Sequence, residues 1–121
     1  MMARKRALGR FAEFGEGRHR VWAEAIRAGE DLVIFIGGGE RPHVGSLSLA
    51  AAEGVPISVS VPGHKDYIVS SDAARRVSRE TGKACVVVAG LHVDNAIKLD
   101  IELLLKNSEK CLGLLIEMIK K

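Results

Sequence analysis

The sequence predicts an α+β domain of two layers: a largely antiparallel sheet of about five or six strands, with two helices packed on one face. Three observations carry that expectation. Residues 10–61 alternate with a period of two between glycine and proline breaks, the period becomes helical from Asp66, and a second helical pattern follows the apolar run "ACVVVAG". Early hairpins favour antiparallel pairing, and late helices then share one side of the sheet.

Taken in order, "RFAEF" (Arg10 to Phe14) alternates and closes on Gly15 and Gly17, which predicts a first strand. Val21, Ala23 and Ala25 then alternate with Trp22, Glu24 and Ile26, "AGED" supplies a turn, and Leu32 to Ile36 is an apolar run of strand length. These read as a hairpin, with a helix over 20–28 as the competing reading. "HVGSLSLAAA" and "PISVSVPG" alternate again, the second with Ile57, Val59 and Val61 on one side, so each is expected to set one face on a core. Pro56 and Pro62 bracket the second, where a missing N–H is tolerated.

From Asp66, residues Ile68 or Val69, Ala73 and Val77 fall on one side of a helix and Arg75, Arg76, Arg79 and Glu80 on the other, with Gly82 in the position that ends it. "ACVVVAG" is a buried strand. The last helix carries Ile97, Ile101, Leu104, Leu105, Leu112, Leu115 and Ile119 at helical spacing, and Asp94 or Asn95 is expected to cap it.

Composition excludes some classes of function. The 121 residues suit one domain, residues 1–9 reading as a flexible basic tail, and 47% hydrophobic with 27% charged residues is an ordinary globular balance. The net charge of +3 sits largely in "ARKR" and the final "KK", and aromatics are only 4%, which argues against a stacking nucleic-acid surface. No signal-peptide pattern and no apolar run of membrane-spanning length occurs, so the expected location is cytoplasmic, with no membrane partner. Cys85 and Cys111 lack CxxC spacing and read as small buried residues. The absence of Gln and the presence of only two Asn, beside many Arg, Lys and Glu, fit a heat-adapted source. Edge strands and the broad apolar arc of the last helix point to a homo-oligomer.

Chemistry concentrates at three strand ends, each with a histidine beside glycine: "GGGERPHVG", "VPGHKD" and "AGLHVDNA". In the first, glycines can admit a ligand close to the backbone and Arg41 can grip an anion, but neither a P-loop nor a dinucleotide fingerprint is present; a plain hairpin loop is the alternative. In the second, Pro62-Gly63 places His64, Lys65 and Asp66 at a helix start, where free N–H groups and the helix dipole favour anions; Asp66 can equally be only the cap. In the third, His92 and Asp94 share i, i+2 spacing, and capping is again the alternative. Three histidines with Asp94 have ligand chemistry for a divalent metal, although HxxxH and HExxH spacings are missing.

Together "GGGERPHVGSLSLA", "VPGHKD" and "VVVAGLHVDNA" resemble the LpdD-like family of prenylated-flavin chaperone domains, over roughly Leu32 to the C-terminal helix. The matching positions are Gly38, Gly39, Pro42, His43 and Gly45, then Gly63, His64 and Lys65, then His92, Asp94 and Asn95. The resemblance implies a non-catalytic carrier that binds prenylated FMN and serves a UbiD-type decarboxylase, with a flavin prenyltransferase as donor. On that basis Lys65 and Arg41 are assigned to the phosphate, His43 and His92 to the flavin ring, and Asp94 to orienting His92. The chain departs from the family pattern at "DYIVSS", where a smaller, glycine-containing segment is expected and Tyr67 can stack on a ring or pack. A histidine-dependent enzyme, for metal-assisted hydrolysis or lysis or for phosphoryl transfer, and a structural subunit are the other readings.

Overall fold

The computed structural model describes residues 9–52, 54–63 and 66–121. The expected N-terminal tail therefore lies outside the described residues except for Gly9. Strands β1 (Arg10–Phe14), β2 (Val21–Ala28), β3 (Asp31–Gly39), β4 (Ser46–Ala50), β5 (Ile57–Ser60) and β6 (Cys85–His92) form one sheet in the order β1-β2-β3-β6-β4-β5. Helices α1 (Tyr67–Thr81) and α2 (Lys98–Lys120) cover one face, α1 over β4 and β6 and α2 over β1 and β2. The α+β two-layer expectation holds, and of residues 20–28 Val21–Ala28 form a strand rather than a helix.

Every neighbouring pair is antiparallel except β3 and β6, which run parallel at the centre from Leu32 beside Cys85 to Gly39 beside His92. The chain leaves β3, makes the β4–β5 hairpin, and returns through α1 to slot β6 between β3 and β4. A helical crossover of this kind is what a parallel pair requires.

The core lies between the inner sheet face and the helices. Ile34, Ile36, Val21 and Val87 from the sheet meet Val77 of α1 and Cys111, Leu115 and Ile116 of α2, all at 1% exposure or less. Gly82 ends α1 in the left-handed region at φ 73°, its N–H donating to the Ser78 carbonyl. Asn107 of α2 donates to the His19 carbonyl at 2.7 Å and fastens the short 3-10 turn Gly17–His19 to the helix layer.

What each of β4, β5 and α2 packs against decides which of its sides is buried. In β4 the serines point inward and Leu47 and Leu49 outward. Its partner α1 presents Ser70, Ala73 and Ala74 here, so small side chains on both sides let helix and sheet approach closely. The buried hydroxyls satisfy one another: Ser70 Oγ lies 2.8 Å from both Ser46 Oγ and Ser48 Oγ, and Ser48 Oγ 2.6 Å from Ser58 Oγ. In β5, against the expectation of a core-facing side, no residue is buried, and Ile57 and Val59 remain 67% and 62% exposed: α1 reaches this edge strand, but its apolar side chains point to the opposite face, beside Leu49 and Leu47. Ile97, Ile101 and Leu105, expected in the core stripe of α2, are also exposed. The first turns of α2 stand off α1, and the buried stripe starts at Leu104.

Both cysteines are buried and free. Burial pushes each thiol up to about 12, with the Glu13 charge adding to the effect at Cys111. The thiol form therefore persists well above neutral pH, and reactivity belongs to the thiolate. Titration with a chromogenic disulfide at pH 8 is expected to find no reactive thiol in the folded protein and two per chain in denaturant; rapid labelling of the folded form would contradict the packing around Cys85 and Cys111.

Candidate functional site

The segment Glu40–Gly45 leaves β3 and doubles back along β6 rather than making a free hairpin loop. The Glu40 and Arg41 N–H groups both donate to the His92 carbonyl, at 2.7 and 3.2 Å, and Gly45 N–H donates to the Ala89 carbonyl at 2.9 Å. Glycine makes this course possible at Gly90, where an added Cβ would lie 1.5 Å from the His43 carbonyl oxygen. At Gly45 the same atom would lie 1.9 Å from Asp66 Oδ2. Gly38 and Gly39 likewise abut the backbone of Arg20, Val21 and His92. The space where a Cβ would stand at these glycines is filled by the protein's own chain.

Asp66, expected as a helix cap, makes no capping bond with its side chain. Its carboxylate instead spans the site: Oδ1 accepts the Leu91 N–H at 3.0 Å, and Oδ2 lies 3.1 Å from His43 Nε2. His43 Nδ1 stands 3.1 Å from the Arg41 carbonyl, an acceptor only, so Nδ1 is the donor there.

A second histidine–carboxylate pair stands beside the first. Asp94 Oδ1 is 3.0 Å from His92 Nε2 and accepts from Arg41 Nη2 at 2.7 Å, while the Asp94 N–H donates to Glu40 Oε1 at 2.8 Å. The Arg41 guanidinium, and after it His92, holds the Asp94 carboxyl below the usual carboxylate range, and Asp94 raises Arg41 in turn. Arg41 is thus engaged with Asp94 in this arrangement. The His43 and His92 rings meet edge to face, 6.3 Å between centroids.

Neither Asp94 nor Asn95 caps α2. That helix begins after Ile97, whose N–H donates to Asp100 Oδ2 at 2.9 Å, and Asn95 occupies a turn at φ 53°. Asp100 also faces His19 Nε2 at 2.7 Å and Arg18 at 3.7 Å, fastening the 3-10 turn to the start of α2. His64 and Lys65 lie outside the described residues. Among the described residues no group of three His, Cys, Asp or Glu is placed to hold a metal ion, and no helix is long and apolar enough to cross a membrane.

Beside the paired histidines opens a cleft of about 370 Å³ between the N-terminal turns of α1 and α2. Ile68, Val69, Leu91, Leu104 and Leu105 form its walls, with His43, Asp66 and His92 at its polar end and Gly63 at the rim. A smaller recess of about 190 Å³ continues it between the helices and shares Ile68, Val69 and Leu105. Tyr67 stands half-exposed at the start of α1. Apolar walls with a few convergent polar groups are the common form of small-molecule sites.

A protein-family profile described as the prenylated flavin chaperone LpdD-like domain matches residues 15–120. The chain belongs to the LpdD-like family. Protein LpdD of Lactiplantibacillus plantarum is 36% identical over 78 residues, an alignment covering 60% of this chain and 57% of that protein. The chain therefore spans less than two thirds of that relative's length. In a crystal structure of a chaperone complex for yeast 20S proteasome assembly, one chain matches with a TM-score of 0.60 over 93% of this chain and 96% of that one, at 13% identity. That likeness is one of fold.

In this candidate site, residue patterns leave Glu40 unmarked and mark Asp66 only as a helix cap. Each acts on partners 23 or more residues away in the chain, and only the acidic character of "ERPH" and "HKD" marks them locally. Because the Gly90 contact holds the whole arrangement, Gly90→Ala is expected to destabilise the fold by roughly 1–3 kcal/mol, the usual range for overpacking. Gly54→Ala, with nothing within 4 Å of the added atom, is the control. Urea unfolding checks both; an unchanged midpoint for Gly90→Ala would contradict the close approach.

Proposed function

We propose that this protein is a non-catalytic carrier that binds prenylated FMN in the cleft between α1 and α2 and delivers it to a UbiD-type decarboxylase, receiving it from a flavin prenyltransferase. The observation that carries the reading is the cleft itself. A substituted flavin ring needs an apolar wall, which Ile68, Val69, Leu91, Leu104 and Leu105 supply, and a few fixed polar contacts, which the two histidine–carboxylate pairs supply. Membership of a family described as prenylated flavin chaperones supports the choice of ligand.

The residues divide the work. Asp66 and Asp94 hold His43 and His92 in fixed orientations, so the imidazoles meet a ligand without first being ordered. The phosphate is assigned to Lys65 and to the start of α1 at Tyr67, where unpaired N–H groups and the helix dipole favour an anion. Arg41 acts first on Asp94 and only through it on the site. Ile101, half-exposed at the rim, adds apolar cover. Once handed over, the bound group is the decarboxylase's prosthetic group, and the carrier's part is to keep it folded away from water.

Protein produced together with a flavin prenyltransferase is expected to leave purification coloured, with the absorption of a bound flavin, and to activate cofactor-free decarboxylase. Lys65→Ala is expected to lose the colour while Arg4→Ala keeps it. A colourless parent protein would overturn the reading; equal retention by both variants would overturn the phosphate assignment alone.

A further inference from the structure

Among the described residues no element covers the face of the sheet away from the helices, and the strand register arranges its side chains into two continuous apolar rows. Ile26, Val33, Val86, Leu49 and Ile57 stand side by side across β2, β3, β6, β4 and β5. In the next row Phe35, Val88, Leu47 and Val59 continue the pattern over four strands. Beyond them Pro42 and His43 close over Gly37 and Gly90, so the open area is bounded at that end by the Glu40–Gly45 segment. The remaining acidic groups of this face sit to one side: Glu13 on β1, Glu24 on β2, and Asp31 at the first residue of β3, where it accepts the Ala84 N–H.

We infer that this face is the interface between two copies of the chain, packed sheet on sheet about a twofold axis running along β6. Three features select a second copy as the occupant. First, the area suffices: five strands about 4.8 Å apart, with side chains, offer a rectangle of about 25 by 20 Å, on the order of 500 Å² per copy. Two copies then bury on the order of 1,000 Å², where specific interfaces begin, and a contiguous apolar patch of this size lies toward the upper end of what monomers expose and is often functional. Second, β6 is the middle strand of the five, so a rotation about it lays β2 of one copy over β5 of the other and apolar row over apolar row. Third, the same rotation keeps like charges apart: Glu13, paired with Arg20 of its own chain, goes to the outer edge, and Glu24, level with Phe35, meets Val59 of the other copy rather than a second carboxylate.

The sole tryptophan, Trp22, lies on this face, stacked on Phe11 at 6.0 Å and against Phe35 at 5.2 Å. Sedimentation of the purified protein at tens of micromolar is expected to give twice the 13.0 kDa chain mass. Leu49→Lys/Ile57→Lys, which changes two outward side chains, is expected to sediment as a monomer with its helical circular dichroism intact and Trp22 emission shifted to the red. Cross-linking of Val88→Cys with a short bis-maleimide provides a second test, because residues on β6 face their own copies across the axis and sheets stacked about 10 Å apart lie beyond direct disulfide reach; a covalent dimer is expected there and none from Leu99→Cys on the helix layer. A monomeric parent, a double variant that stays dimeric, or the absence of a covalent dimer from Val88→Cys would each overturn the inference.

Discussion

The contact on which the site depends is that between the His43 backbone and Gly90. Where the His43 carbonyl sits, there is room for a hydrogen on Gly90 and for no heavier group. That approach lets Glu40 and Arg41 bond to the His92 carbonyl and Gly45 to Ala89, which turns the outgoing end of β3 back along β6. It brings His43 within reach of Asp66 at the start of α1, and Arg41 within reach of Asp94. Three segments far apart in sequence thus meet through backbone packing, and the two histidine–carboxylate pairs follow from it.

The sheet divides its two faces unequally, and the side-chain sizes explain how. On the helix side, Ser46, Ser48 and Ala50 of β4 meet Ser70, Ala73 and Ala74 of α1, a contact of small residues with its hydroxyls bonded among themselves. The larger aliphatic side chains of the same strand are consequently turned outward. On the helix layer, the first turns of α2 stand away from α1 and leave the apolar cleft that ends at His43 and His92. Close packing on one part of α1 and open space at its N-terminal end are complementary features of one layer.

Much of this was legible from residue order where the signal is local. Arg10–Phe14, the turn after Ala28, and the end of α1 at Gly82 follow from alternation, turn chemistry and a left-handed glycine. What was not legible is non-local. Alternation in β4 separates serines from leucines but does not say which set faces inward; that depends on the small residues of α1, more than 20 positions later. The parallel pairing of β3 with β6 is a property of the crossover, not of either strand. Asp66 carries a helix-cap signature, and its true partners, His43 and the Leu91 N–H, lie 23 and 25 residues away. At Gly45 and Gly90 the space where a Cβ would stand is taken by the chain itself.

The most direct measurement of the central claim is a crystal structure of the protein loaded with prenylated FMN. The expected result is the flavin ring against Leu91 and Leu104, with its polar edge toward His43 and His92 and its phosphate at the start of α1. A flavin bound elsewhere, on the open sheet face or away from both histidine–carboxylate pairs, would contradict it.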